Sequence, residues 1–285
     1  MQDKKSDLPT PLAISGTTRV VGVCGHGIRY TLSPAMHNAA FRALGLDYVY
    51  VMFDVAPGRA REAAAGIRGL GLAGVNVTKP LKTEMIPFLD ELTDEARRIG
   101  SVNTISHRDG QLFGATTDGA GLLRALETME VSVTGRSVLI LGSGGAARAA
   151  CAACVRAGAG RTVVAARNRQ RGEETALVGP AETTSHEPAS LRKALHEADL
   201  VINAVPVDLE LEPEWFRTVQ TVYDTRYDVA DTLLMQTARA GGATTSNGID
   251  MLLYQGTAAF EIWTGCDAPV EVMRAALING LSRRG

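Results

Sequence analysis

The sequence predicts an α/β fold of two domains, each built on largely parallel sheet. Strand-like and helix-like segments alternate from end to end, the pattern of parallel strands joined by crossover helices. At 285 residues the chain is longer than one core usually serves. The pattern also starts afresh at residue 137, where a short apolar strand, a tight glycine loop and an alanine-rich helix follow in direct succession.

Taken in order, residues 19–24 read as a first strand. Ser33 followed by Pro34 looks like a helix N-cap with proline in the first helical position, opening a helix over 35–44. Residues 47–53 alternate as a second strand, 59–67 are helical, and 71–77 form a third strand. Residues 90–99 read as a short helix, and strands over 101–106 and 111–115 flank Arg108–Asp109–Gly110, a hairpin turn. A helix over 119–129 carries the expected domain boundary. The second start then supplies a strand at 137–141, the glycine loop at 142–145, a helix at 146–157 and a strand at 161–165. Further strands are expected at 200–203, 218–223 and 243–245, separated by helical stretches.

A hydrophobic content of 45% and a charged content of 21% fit a globular protein. The net charge of −2 gives no electrostatic reason to expect nucleic acid or a membrane surface as partner. No apolar run approaches bilayer length. Residues 1–18 are polar and lack an apolar core, so they read as a short disordered lead rather than a signal peptide. Cys151 and Cys154 form a C-x-x-C inside a helical run, where that spacing puts both on one face. Packing is the expectation there rather than redox or metal chemistry. The five histidines show no metal-ligand spacing with each other or with the cysteines. We expect no metal and a reducing, cytoplasmic setting.

The segment Asn76–Val77–Thr78–Lys79–Pro80–Leu81–Lys82 concentrates the chemistry. It places Lys82 just after a strand and on the first turn of a helix, where the positive end of the dipole opposes an ammonium. Proton transfer would justify such a placement; a surface lysine with its head in water is the plain alternative.

The loop Gly142–Ser143–Gly144–Gly145, between a strand and a helix, suits a pyrophosphate resting on the helix N–H groups. It departs from the full G-x-G-x-x-G, and a glycine-rich turn is the competing reading. The next strand ends in Arg167, Arg169 and Arg171, with no carboxylate until Glu173. Guanidinium groups in that place suit a 2′-phosphate, so the site reads as one for NADP rather than NAD.

Four motifs then resemble the shikimate dehydrogenase family over nearly the whole chain. They are Thr31–Leu32–Ser33–Pro34 with Met36–His37–Asn38, the segment from Asn76 to Lys82, Ser101–Val102–Asn103–Thr104, and Gly248–Ile249–Asp250–Met251–Leu252–Leu253–Tyr254–Gln255. The resemblance implies a substrate domain over 1–122, completed by C-terminal helices within 249–285, and an NADP-binding Rossmann domain over 123–248. It implies NADPH-dependent, reversible reduction of 3-dehydroshikimate to shikimate, on the route to chorismate and the aromatic amino acids, by a monomer or homodimer. Lys82 and Asp118 would be the catalytic pair. Thr31, Ser33, Thr78, Asn103, Tyr227 and Gln255 would hold the substrate. Gly142, Gly144, Gly145 and Ala146 would line the pyrophosphate, Arg167 and Arg171 would meet the 2′-phosphate, and Asp94, Thr225 and Gly248 match positions near the nicotinamide.

The chain departs from the family pattern at Thr31, where serine is usual, at Thr116 for asparagine, around Arg167, and at Val205 and Asp208. Thr31 keeps a quinate or aminoshikimate dehydrogenase open, and fold analogy leaves a non-catalytic NADP-binding sensor open. Several site residues carry a second reading. Asp118 and Ser33 also stand where helix caps would, Gln255 could be a core amide, and Tyr227 could be a packing ring.

Overall fold

The computed structural model describes residues 13–282. The polar lead therefore lies outside the described residues up to position 12.

The first half is a mixed sheet. Strand β1 (Arg19–Gly25) leads through α1 (Ser33–Ala43) to β2 (Tyr48–Asp54), then through α2 (Ala60–Gly69) to β3 (Gly74–Val77). The chain continues as α3 (Leu81–Glu84), β4 (Glu91–Leu92), α4 (Asp94–Ile99), β5 (Thr104–Arg108) and β6 (Gln111–Ala115). The strands lie in the order β2-β1-β3-β5-β6-β4. β1 is parallel to both β2 and β3, whereas β5 runs antiparallel to β3 and β6. The β5–β6 hairpin turns on Asp109 and Gly110, both at positive φ (51° and 79°), as a two-residue turn with the strand twist requires.

Helix α5 (Asp118–Thr128) leads into the second sheet. There β7 (Ser137–Leu141), α6 (Gly145–Arg156), β8 (Arg161–Ala166), α7 (Arg169–Ala176), β9 (Glu182–Ser185) and α8 (Pro188–Glu197) precede β10 (Leu200–Asn203), β11 (Thr221–Asp224), α9 (Leu233–Ala240) and β12 (Thr244–Ser246). Its six parallel strands lie in the order β12-β11-β10-β7-β8-β9, the doubly wound Rossmann arrangement. The strand order reverses between β7 and β10. A crevice opens there at the carboxyl ends of the strands.

Alternation builds a core on both faces of each sheet. Val21 and Val23 of β1 pack with Met36, Phe41 and Phe260, while Val20 and Cys24 face Ala64, Val75 and Leu81. In β7, Val138 and Ile140 face one cluster, Leu139 and Leu141 the other. Cys151 and Cys154 are fully buried on α6 within the first of these. The C-terminal helices α10 (Ile249–Thr264) and α11 (Val270–Ser282) return to the first sheet, where the Trp263 indole donates to the Ile105 carbonyl at 3.0 Å. A Cβ on Gly121 would come within 2.7 Å of the Gln255 backbone nitrogen, so glycine is what lets α5 and α10 approach this closely.

Three sequence expectations change. Residues 91–92 are a strand paired with β6, and the helix begins only at Asp94, behind the Thr93 cap. Strand β9, polar throughout, was not expected. Asn103 precedes β5 rather than sitting within it.

Candidate active site

One cleft of about 570 Å³ lies between the two sheets and receives residues from both. On one wall, the Lys82 ammonium pairs directly with the Asp118 carboxylate. Both side chains are largely buried, 16% and 6% exposed, and both line the cleft. The backbone fixes each. Val102 N–H donates to the Lys82 carbonyl at 2.9 Å, and Asp118 is the first residue of α5. Helix α3 has only four residues, so the carboxylate, rather than an extended helix dipole, is the dominant charge beside Lys82.

Asn103 braces the pair. Its Nδ2 donates to Asp118 Oδ1 and Thr117 Oγ1 at 2.8 Å each, and its Oδ1 accepts from Thr117 N–H at 2.8 Å. Gln255 reaches the same amide at 3.3 Å from α10, and the Gln255 carbonyl accepts from Thr117 Oγ1 at 3.0 Å. A buried amide with this many partners holds one geometry.

The sequence left Asp118 and Ser33 open as helix caps. Neither caps: Thr117 and Leu32 occupy the N-cap positions, and neither helix has a side-chain cap bond. Asp118 turns to Lys82 and Asn103, and Ser33 exchanges a 3.2 Å hydrogen bond with Thr31. Thr31, Ser33, Thr78, Tyr227 and Gln255 all line the cleft.

Two residues unassigned from sequence complete this wall. The Tyr50 hydroxyl lies beside Ser33 and donates to Asn76 Oδ1 at 2.7 Å. Asn76 Nδ2 in turn donates to the Asn103 carbonyl at 3.1 Å. A polar chain thus runs behind the cleft from Ser33 to Asp118. The available signal was Asn76 itself, an amide between Val75 and Val77 in a buried strand, where it must find partners.

The opposite wall is the glycine loop at the switch point. Gly142 has φ +117°, and a Cβ there would press on the Ala204 carbonyl at 3.2 Å. Ser143, Gly144, Gly145 and Ala146 line the cleft at the start of α6. A Cβ at Gly144 would meet nothing within 4 Å, so the backbone is open to a ligand there. A Cβ at Gly145 would sit 2.6 Å from Ser101 Oγ and 3.1 Å from Lys82 Cδ, which places the loop against the catalytic segment. Thr225 and Gly248 line the cleft from the ends of β11 and the start of α10. The turn carrying Thr225 is held by buried Asp224, which accepts from Asn203 at 2.9 Å, Thr232 at 2.7 Å and Arg226 N–H at 3.0 Å. Asp208, at a position where the family pattern has glycine, pairs with Arg226 at 2.6 Å.

Beyond β8, Arg169 is tied to Glu173 at 2.8 Å, whereas Arg167 and Arg171 have no salt-bridge partner among the described residues. Arg171 lines the cleft; Arg167 is exposed and does not line it. The open loop backbone and the two uncommitted guanidiniums fit a phosphorylated dinucleotide. Of the expected cofactor residues, Gly142, Arg167 and Asp94 do not line the cleft. Asp94 is exposed to solvent on the first turn of α4, behind the Thr93 cap, and pairs with Arg97 at 2.9 Å. Among the described residues no cluster of acidic, histidine or cysteine side chains could hold a metal, and no helix is long and apolar enough to cross a membrane.

A phosphate-ready loop at the switch point of a Rossmann sheet thus faces a buried lysine–carboxylate pair across a shared cleft, the layout of a nicotinamide-dependent dehydrogenase. Comparison with known proteins narrows the class. The family models described as shikimate dehydrogenase substrate binding domain, shikimate / quinate 5-dehydrogenase and shikimate 5′-dehydrogenase C-terminal domain match residues 23–105, 124–211 and 248–278. The chain is 43% identical over 279 residues to the shikimate dehydrogenase (NADP(+)) of Moorella thermoacetica, covering 93% of this chain and 95% of that one. It is 42% identical over 285 residues to the enzyme of the same name from Methanopyrus kandleri, covering 95% and 98%. The crystal structure of shikimate 5-dehydrogenase from Thermus thermophilus with NADP(H) and shikimate superposes with a TM-score of 0.83 at 33% identity, covering 92% of this chain and 99% of that one. The chain belongs to the shikimate dehydrogenase family.

Proposed function

We propose that this protein catalyses the reversible NADP-dependent interconversion of shikimate and 3-dehydroshikimate, a step towards chorismate and the aromatic amino acids. The observation that carries the reading is the Lys82–Asp118 pair, presented to a cleft whose other wall is the glycine loop. The substrate domain of 1–122 with 249–285 supplies the substrate site apart from Tyr227, which comes from the nucleotide domain of 123–248. Four free thiols suit a reducing, cytoplasmic setting, and a cleft complete within one chain serves a monomer or a homodimer alike.

Bound NADP supplies the hydride acceptor for the alcohol carbon. The rest falls to the chain. In reduction the Lys82 ammonium gives a proton to the developing alkoxide and is left as the neutral amine; in oxidation that neutral amine takes the hydroxyl proton. Asp118 orients the ammonium and shares the proton traffic, and Asn103 holds Asp118 in register. Thr31, Ser33, Thr78, Tyr227 and Gln255 fix the ring, so that the reacting carbon faces the loop. Gly144, Gly145 and Ala146, at the start of α6, would hold the pyrophosphate on backbone N–H groups. Arg171, which lines the cleft, and the exposed Arg167 would hold the 2′-phosphate, and Thr225 and Gly248 would serve the nicotinamide end.

Thr31, which carries a methyl group beside Ser33 where serine is usual, keeps one second reading open, a quinate or aminoshikimate dehydrogenase. Initial rates with shikimate and quinate, each with NADP and NAD, separate the two. The leading reading requires shikimate with NADP to give the highest kcat/KM; a preference for quinate would replace it. No turnover of either acid would leave an NADP-binding protein without this chemistry.

A further inference from the structure

Lys79 also lines the cleft, on the lip of the first domain, three positions before Lys82. Its ammonium lies 5.4 Å from the centroid of the Tyr30 ring, a cation–π placement that holds it over the residue preceding Thr31. Among the described residues Lys79 has no salt-bridge partner. The charges around it are otherwise committed. Across the cleft, Asp228 feels the Lys79 charge but is paired with Arg226 at 3.2 Å, and Arg226 is also held by Asp208. Lys82 is committed to Asp118. Tyr30 and Tyr227 meet at 5.9 Å between ring centroids and close the same end of the cleft.

The cleft therefore has two ends. Lys82, Asp118, Asn103 and Gln255 form the end where the proton moves. Thr31, Ser33, Tyr30 and Lys79 form the other, joined to the first behind the wall through Tyr50 and Asn76. The substrate carries a carboxylate two ring carbons from the reacting one, so that charge must lie beyond the catalytic end. The hydroxyls of Thr31 and Ser33 are neutral. Lys79 is the uncommitted cation at that end.

We propose that Lys79 is a specificity-determining residue, an electrostatic partner for the substrate carboxylate that favours the acid over uncharged analogues. The role rests on the shikimate reading above. Because the ammonium is exposed to solvent at the cleft mouth, its attraction is screened and modest in size. It acts on binding of the ground and transition states alike, so it shows in KM rather than in kcat.

The test compares shikimate with its methyl ester in the wild type, Lys79→Gln and Lys79→Arg. Lys79→Gln should raise KM for shikimate about 3- to 10-fold at low ionic strength, with kcat nearly unchanged. KM for the ester should stay the same, and Lys79→Arg should restore most of the preference for the acid. Added salt should shrink the wild-type advantage while leaving the glutamine variant unaffected. Equal effects on acid and ester, or none on the acid, would overturn the role. A wild type that does not oxidise shikimate would overturn the function itself, and this role with it.

Discussion

Lys82 and Asp118 lie 36 residues apart in sequence, on separate helices, and form a direct ion pair on one wall of the cleft. Neither helix reaches the other through the chain. β5 and β6 and the loop before β5 carry the strand register that brings them together, and Asn103 locks the arrangement.

Asn103→Ala should be costly on two counts. The Thr117 N–H would lose its acceptor in a buried setting, which costs about 1–3 kcal/mol of stability. Asp118 would also lose one of its anchors, so kcat should fall more than shikimate affinity. Urea unfolding beside steady-state kinetics reads both; a stable variant with normal kcat would show that Asn103 does not hold the pair.

Gly145→Ala tests how closely the loop approaches the catalytic segment. The added methyl would have to displace Ser101 Oγ and the Lys82 stem. Rigid packing offers no room, so NADP affinity and kcat should both fall, by about tenfold or more. Wild-type kinetics in this variant would mean that the two walls do not meet as described.

The cofactor arginines are not equivalent. Arg171 lines the cleft and the exposed Arg167 does not, although the sequence pattern put Arg167 first. Losing one charge-assisted contact to the 2′-phosphate costs about 1.5–3 kcal/mol, or roughly one to two decades of NADP affinity. Arg171→Ala should therefore raise KM for NADP at least as much as Arg167→Ala, with KM for NAD almost unchanged in both. Equal losses with NADP and NAD would remove the phosphate from the account.

His37 gives the fold a pH dependence. It is fully buried, stacks on Tyr50 at 4.4 Å between ring centroids, and neither ring nitrogen has a hydrogen-bond partner. Burial pulls its pKa from 6.5 down to about 3, so the folded protein keeps the ring neutral. The unfolded chain takes up the proton below about 6.5, so stability falls as the pH drops from 6.5 towards 3 and is unaffected above that window. By about pH 5 the loss should be about 2 kcal/mol. Urea unfolding of the wild type and His37→Phe at neutral pH and at about pH 5 isolates this contribution; parallel pH dependences would show a ring that titrates normally.

Legibility in the sequence followed how local each feature is. The second sheet announced itself because strand, Gly142–Gly145 loop and helix are contiguous. The β5–β6 turn was readable from Asp109–Gly110. The strand at 91–92 was missed because only its partners in β6 make it a strand, and β9 because an edge strand of Glu182, Thr183, Thr184 and Ser185 carries no apolar alternation. At the site, family motifs singled out Lys82 and Asp118, but their contact is a product of the sheet register. Tyr50 and Asn76 were not assigned, since their roles arise from a hydrogen-bond chain that passes through two strands, the loop before β5 and two helices. Asp94 matched by position alone, and on the first turn of α4 it is exposed to solvent.

The central claim is that the Lys82–Asp118 pair performs the proton transfer in an otherwise preformed binding cleft. The most direct measurement is kcat for shikimate oxidation in Lys82→Ala and Asp118→Asn, alongside calorimetric affinities of both variants for shikimate and NADP. The account predicts a loss of about 10²–10⁴-fold in kcat for Lys82→Ala, a severe loss for Asp118→Asn, and far smaller changes in the affinities. A Lys82→Ala enzyme that keeps most of its turnover at neutral pH would contradict it.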